Sequence, residues 1–561
     1  MCKKIPFLVP RRNKSGRFDG FDELRQPVNR NVEIAPDLPA TVPQLLHLNL
    51  WPGAIVPPSS TNPLGLPDEV TMALAFLTGK PGPKIVGISP LVKTQFKIWD
   101  RNFAIPGLTV AQREHFRATV DLEVLTASVP PPSMGIATDL RSRLLLTLAP
   151  SIDPCFIIGA LSGLRGVKLV EPVTALYGAS RETLIDVPVE NVHAKMVGKD
   201  YPLTWMHAMT NRDQPSLETW DTLVNWDTSG ESNIAILDSG SMQSHPAFET
   251  GAIQQPDQLW FRRDMTDVFG HGTFIASQIV GRKLLPNEEL AKFLPQGVLP
   301  KSRVLCFNIF YYSPTNNHFE VNTSAFHTAL KTIRLRHKSV SVINLSIWMK
   351  DEPSQTLLDD FADMEAMGIV IVACAGNKSG ATVGELGKDS DYRVLYPARL
   401  PTILSVGAID GDSVRAPFSR FSSWNTTGRN GNDYFAKDAG RWPLIDLMAP
   451  GVKVWGAAIN PVKFPDAALT PKQWDSQRNG ATRLNGTSMA APYVTAGIAA
   501  IRLDPKWANA TAEAVRQLMR SSIDARSIPS DLGAGSVPLE QRELYGTGVL
   551  DYAALINKAS H

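Results

Sequence analysis

The chain has 561 residues, of which 43% are hydrophobic and 20% charged, and a formal net charge of +2. That is enough for two to four domains, with the composition of an ordinary folded chain rather than a fibrous or disordered one. So small a charge imbalance gives no footing for a nucleic-acid partner, and no apolar run approaches the length of a membrane span.

The first ten residues carry two lysines and a short apolar stretch before Arg11 and Arg12. That is shorter than a signal-peptide core, so the expected location is intracellular. Residues 1–114 are rich in proline and lack a sustained period. They are expected to form an irregular arm with a short helix over 67–77. Residues 115–185 are more regular, reading as strand (143–148), helix (153–161) and strand (167–172). A small α+β domain is predicted there, joined by a linker over 186–214 to a large domain over 215–558.

In the large domain, strands are expected at 233–237, 303–310, 340–345, 369–373 and 402–409. All are continuous apolar runs, the pattern of strands covered on both faces of a parallel sheet. Ser354 is placed to cap a helix that turns Leu357, Phe361 and Met364 to one side and closes at Gly368. Further helices follow Ser488 and occupy about 511–521. The architecture expected is α/β, three layers around a mainly parallel sheet.

Four segments carry chemistry. Ser488 lies in Asn485-Gly486-Thr487-Ser488-Met489-Ala490-Ala491-Pro492, between small residues at the start of an apolar helix. Free N–H groups there favour developing negative charge, which suits a nucleophile that builds an oxyanion. The bland alternative is a close-packed helix entry. Asp238 ends the 233–237 strand ahead of Ser239 and Gly240. His271 sits between Gly270 and Gly272 at a helix start. Asn377 follows Ala375-Gly376 just past the 369–373 strand. Acyl transfer by a serine needs a base, a carboxylate to orient it and donors for the oxyanion. All these parts are present, each at an element end.

The order Asp238, His271, Ser488 separates this arrangement from the chymotrypsin and α/β-hydrolase orders. The chain resembles the subtilisin-like serine proteases over about residues 215–555, through Asp238 to His245-Pro246, His271-Gly272-Thr273, Ile343 to Ser346, Ala375-Gly376-Asn377, Tyr396-Pro397-Ala398, Met448 to Gly451 and the Ser488 motif. His271 and Asn377 set it apart from the sedolisins. The resemblance implies a triad of Asp238, His271 and Ser488, with Asn377 as oxyanion donor. It also implies substrate binding by Ser346, Ile347, Trp348, Ala375 and Gly376, and peptide or protein substrates. It implies a structural role for His245. A glycine is usual where Trp348 stands, so the indole is expected to narrow the pocket for the residue before the scissile bond.

Calcium is common in the family, yet the ligand position after His-Pro is Ala247, so no metal or other cofactor is assigned. The 115–185 segment is similar to the second half of a subtilase propeptide, an intramolecular inhibitor; an unrelated accessory domain is the other reading. Cys2, Cys155, Cys306 and Cys374 are too widely spaced to suggest a zinc site or a disulfide framework, and Cys374 is expected to pack as a small buried residue. Two rival functions stand beside the endopeptidase: a binding protein on a degenerate protease fold, and a serine esterase.

Overall fold

The structure is a computed structural model that describes residues 8–12, 18–23, 41–55, 65–79, 83–91, 142–174, 232–255, 267, 270–313, 318–349, 352–377, 394–421, 445–459, 479–524 and 544–560. It divides into two compact units. One holds Met1–Ala175 with Thr323–Thr328 and Asp351–Leu358; the other holds the rest.

In the first unit, β1 (Leu8–Arg12) and β2 (Phe18–Glu23) form an antiparallel pair. β3 (Thr41–Leu50), β4 (Ile85–Pro90), β5 (Arg143–Leu148) and β6 (Val167–Thr174) form an antiparallel sheet in the order β4-β5-β3-β6. Leu46, Leu48, Leu144 and Leu146 bury with Val70 and Leu74 of the Asp68–Leu77 helix and with Ile157 and Leu161 of the Pro154–Ser162 helix. Asp153 caps the latter by accepting the Cys155 N–H at 2.9 Å, and Pro154 begins it.

The expectation of an irregular arm up to residue 114 is corrected here, because β3 and β4 come from it and β3 is interior to the sheet. Its Pro43 falls where the pairing with β6 shifts, beside Gln44 at φ 80. At such an irregularity a missing N–H costs no ladder bond. Cys155 is disulfide-bonded, which the cysteine spacing had not suggested, while Cys306 and Cys374 are free and buried. The expected linker, 186–214, lies outside the described residues.

Ser354 does not cap the Gln355–Ala366 helix. Its hydroxyl has no hydrogen-bond partner among the described residues. Glu171 of β6 does the work, accepting the Gln355 N–H at 3.0 Å, the Thr356 N–H at 2.9 Å and the Thr356 hydroxyl. A carboxylate suits a helix N-terminus better than a hydroxyl because it adds charge–dipole attraction to the hydrogen bonds.

The second unit is built on a nine-stranded sheet. Its main members are β7 (Ile234–Asp238), β9 (Val304–Asn308), β12 (Val342–Leu345), β13 (Val370–Cys374), β14 (Ile403–Ile409) and β15 (Leu447–Pro450). Short strands β8 (Ile253–Gln254), β18 (Ile523–Asp524) and β19 (Val549–Leu550) complete the order β18-β19-β15-β14-β13-β12-β7-β9-β8, while β10 (Phe310–Ser313) and β11 (His318–Val321) form a separate antiparallel pair. Pairing is parallel throughout except between β18 and β19. β7, β9, β12, β13, β14 and β15 are buried at every position, as their mainly apolar sequences require.

Parallel register sets Leu345 opposite both Leu237 and Ala373. The residues that follow, Asp238, Ser346 and Cys374, therefore leave the sheet at the same edge. That is the carboxyl edge, where open α/β sheets form their crevice.

Candidate active site

β7 ends on Asp238, which is fully buried and accepts the Ser239 N–H at 2.7 Å. His271 begins the His271–Val280 helix behind Gly270, whose φ of 94 needs a residue without a side chain. The His271 Nδ1 stands 2.8 Å from each Asp238 carboxylate oxygen, with both side chains excluded from solvent. A carboxylate on Nδ1 fixes the proton there and makes Nε2 the basic nitrogen. This pairing depends on a close backbone approach: a Cβ on Gly272 would lie 1.9 Å from the Gly240 carbonyl oxygen.

Ser488 is the second residue of the Thr487–Ile501 helix and only 7% exposed. Gln278, in the last turn of the His271 helix, donates to the Met489 carbonyl at 3.1 Å, tying that helix to the start of the Ser488 helix. Just past β12, the Ser346 hydroxyl donates to the Ser488 carbonyl at 3.3 Å. Asn344 donates to Ser346 at 3.1 Å, and Thr495 donates to Asn344 at 3.0 Å. Thr487 orients Asn377, since its N–H (3.0 Å) and hydroxyl (2.9 Å) both donate to the Asn377 side-chain oxygen. The amide Nδ2 is thereby left as the outward donor. It lies 3.2 Å from where a Gly486 Cβ would stand.

A model of the subtilase family matches residues 230–548. The chain belongs to the subtilase family. Its enzyme class is that of a subtilisin-like serine endopeptidase. It is 25% identical over 340 residues to a subtilisin-like protease of Coccidioides posadasii, covering 59% of this chain and 67% of that protein. Against subtilisin DY of Bacillus licheniformis it is 28% identical over 52% of this chain and 82% of the other. The human membrane-bound transcription factor site-1 protease is 25% identical over 48% of this chain, but the match spans only 21% of its own length. Fervidolysin from Fervidobacterium pennivorans, a solved structure, aligns with a TM-score of 0.48 at 18% identity, over 74% of this chain and 56% of that one.

In this subtilase Ser346 and Ile347 are buried at the end of β12, and Trp348 is partly exposed just beyond. Met349 then exchanges two backbone hydrogen bonds with Tyr396, at 2.6 and 3.1 Å. Ala375 is buried, and Gly376 adopts φ 93. Leu395 packs so closely on Gly376 that a Cβ there would fall 2.6 Å from its Cδ1. Sequence reasoning passed over Leu395, because only the fold brings it to that glycine.

Cys374 lies against the Ser488 and Thr487 hydroxyls; burial pushes its thiol up to about 11, with the Asp238 charge adding to the effect. A thiol held neutral is no nucleophile. His245 bridges the Ala458 and Gly480 carbonyls of the β16 (Val454–Ile459) and β17 (Asn479–Leu484) hairpin, at 3.2 and 3.1 Å. Burial lowers its pKa, as fits a neutral structural histidine.

Beside the expected calcium position, Arg282 donates to the Pro246 carbonyl at 2.8 Å and pairs with Glu288, and its N–H bonds to the Ala247 carbonyl. A fixed guanidinium among those oxygens does not fit a divalent cation. Among the described residues no helix is long and apolar enough to cross a membrane.

Proposed function

We propose that this subtilase hydrolyses peptide bonds through Asp238, His271 and Ser488. His271 Nε2 takes the Ser488 proton as the hydroxyl oxygen attacks the carbonyl carbon, and later returns that proton to the leaving amine. Asp238 holds the tautomer and stabilises the imidazolium. The Asn377 Nδ2 and the Ser488 N–H receive the oxyanion. Ser346, Ile347, Trp348, Ala375 and Gly376 line the path of the substrate, and Trp348 restricts the residue before the scissile bond.

The observation that carries this reading is the 2.8 Å contact of His271 Nδ1 with both Asp238 oxygens at the carboxyl end of a parallel strand. The experiment is Ser488→Ala, assayed on a peptide substrate and with a fluorophosphonate probe. Loss of turnover and of labelling by at least about 10³-fold, in a protein that still melts cooperatively, is expected. Turnover by folded Ser488→Ala near the unmutated rate refutes the mechanism. Labelling with ester but no peptide turnover would favour an esterase, and no labelling of the unmutated protein a binding role.

Residues 115–185 are proposed to act as the intramolecular inhibitor of the peptidase. The strands β5 and β6 and the Pro154–Ser162 helix that lie there, as parts of a folded antiparallel sheet and its cover, support a folded restraint rather than a passive leader. No calcium is assigned to the loop around Arg282, on the strength of the guanidinium already seated there.

A further inference from the structure

Beside Asp238 lies a second, fully buried carboxylate, Asp267, four residues before His271. Each of its oxygens is held by two donors among the described residues. Oδ1 accepts from the Ser239 hydroxyl at 2.8 Å and the Gly270 N–H at 2.7 Å. Oδ2 accepts from the Thr273 N–H at 2.8 Å and the Thr273 hydroxyl at 2.7 Å.

The hydroxyl directions follow from their other bonds. The Ser239 oxygen accepts the Gly272 N–H at 2.9 Å, and the Thr273 oxygen accepts the Met242 N–H at 2.9 Å. Each hydroxyl hydrogen is therefore the one aimed at Asp267. Four converging donors describe an ionised carboxylate, an acceptor at every lone pair. Burial raises its pKa from the ordinary value while those donors work against the rise.

The bonds join three pieces of chain: the turn after Asp238, the residues flanking His271, and Met242 in the segment beyond. We propose that Asp267 is a positioning residue for the reaction, a buried anion that locks the Asp238 turn and the His271 helix start into one rigid piece. The inference rests on the triad reading above. Without this lock, Gly270, Ser239 and Thr273 lose a shared acceptor, and the imidazole gains freedom to drift from the nucleophile. A misplacement of about 1 Å in such a site costs on the order of 10² in rate.

The test compares Asp267→Asn and Thr273→Val with the unmutated chain of residues 1–561, each measured well below its melting transition. Asparagine keeps the shape but faces an NH2 toward two of the donors; valine keeps the size but removes one donor to Asp267 and the acceptor of the Met242 N–H. We expect kcat and the rate of fluorophosphonate labelling to fall together, by about 10- to 100-fold for Asp267→Asn and less for Thr273→Val, with KM within about threefold. A merely structural role would lower the melting temperature and leave both rates per folded molecule unchanged, which overturns the proposal. If Asp267→Asn does not fold, Thr273→Val decides by the same criterion. Ser488→Ala, run in parallel, separates the two claims: activity retained there removes the triad reading, whereas an inactive Ser488→Ala beside a fully active, folded Asp267→Asn removes only the role of Asp267.

Discussion

Replacing Gly272 with alanine puts one methyl group where there is no room for it. The Cβ would lie 1.9 Å from the Gly240 carbonyl oxygen and 3.1 to 3.2 Å from the Gly240 carbonyl carbon and nitrogen. These are backbone atoms, so no side chain can swing aside. Relief to even a tight 3.0 Å contact needs a retreat of about 1 Å between the turn after Asp238 and the start of the His271 helix. If the retreat falls along the Asp238–His271 contact, the 2.8 Å bond opens to about 3.9 Å, beyond hydrogen-bond range. Overpacking of this kind costs about 1–3 kcal/mol of stability. The effect on turnover is larger, between ~10² for a misplaced group and ~10⁴ for an imidazole released from its carboxylate. The assay is kcat on a fluorogenic peptide, with a calorimetric scan to establish the folded fraction. Gly251→Ala is the control: nothing lies within 4 Å of its Cβ although φ is +83, so about 1 kcal/mol of stability should be lost and no activity. A folded Gly272→Ala protein with unmutated kcat would show that the glycine–carbonyl contact does not hold the pair together.

Trp348→Gly should widen acceptance toward Phe, Tyr and Leu before the scissile bond, by about 1–3 kcal/mol in the relative kcat/KM of a peptide series. An unmutated enzyme that already prefers large aromatics would place the indole elsewhere. Chelation with EDTA should move the melting temperature little, because removal of an ion destabilises only if that ion was bound to the native state. A large drop restored by calcium would reveal ligands away from Arg282. Burial works against the Glu171 carboxylate, but His47 beside it and the Thr356 hydroxyl and N–H outweigh burial and hold its pKa below 4.5. A lowered folded pKa means stability present above about pH 4.5 and lost as pH falls through the folded value. Glu171→Gln should therefore cost about 1 kcal/mol at pH 7, read by thermal denaturation, and progressively less below pH 4. An equal loss at both ends would mean that the charge of the cap contributes nothing.

Much of the catalytic unit was readable because its signals are local. Continuous apolar runs such as 234–237 and Val370–Cys374 can be satisfied only inside a covered parallel sheet. Asp238, His271, Asn377 and Ser488 each sit where a strand stops or a helix begins, marked by glycine or alanine neighbours within a few residues. What those residues touch was a different matter. Ser354 has the right chemistry and position for an N-cap, yet Glu171, 184 residues before Gln355, takes the role. Asp267 showed nothing beyond an acidic residue ahead of a helix; its importance lies in the Ser239 hydroxyl, 28 residues away, that the fold turns toward it. Pro43 argued against a strand, and a register shift against β6 absorbed it. Local sequence determines the conformations a segment can adopt and the residue types it can offer. Which donor meets which acceptor depends on elements distant in the chain, and that pairing was decided only when burial removed water as the alternative partner for every polar group.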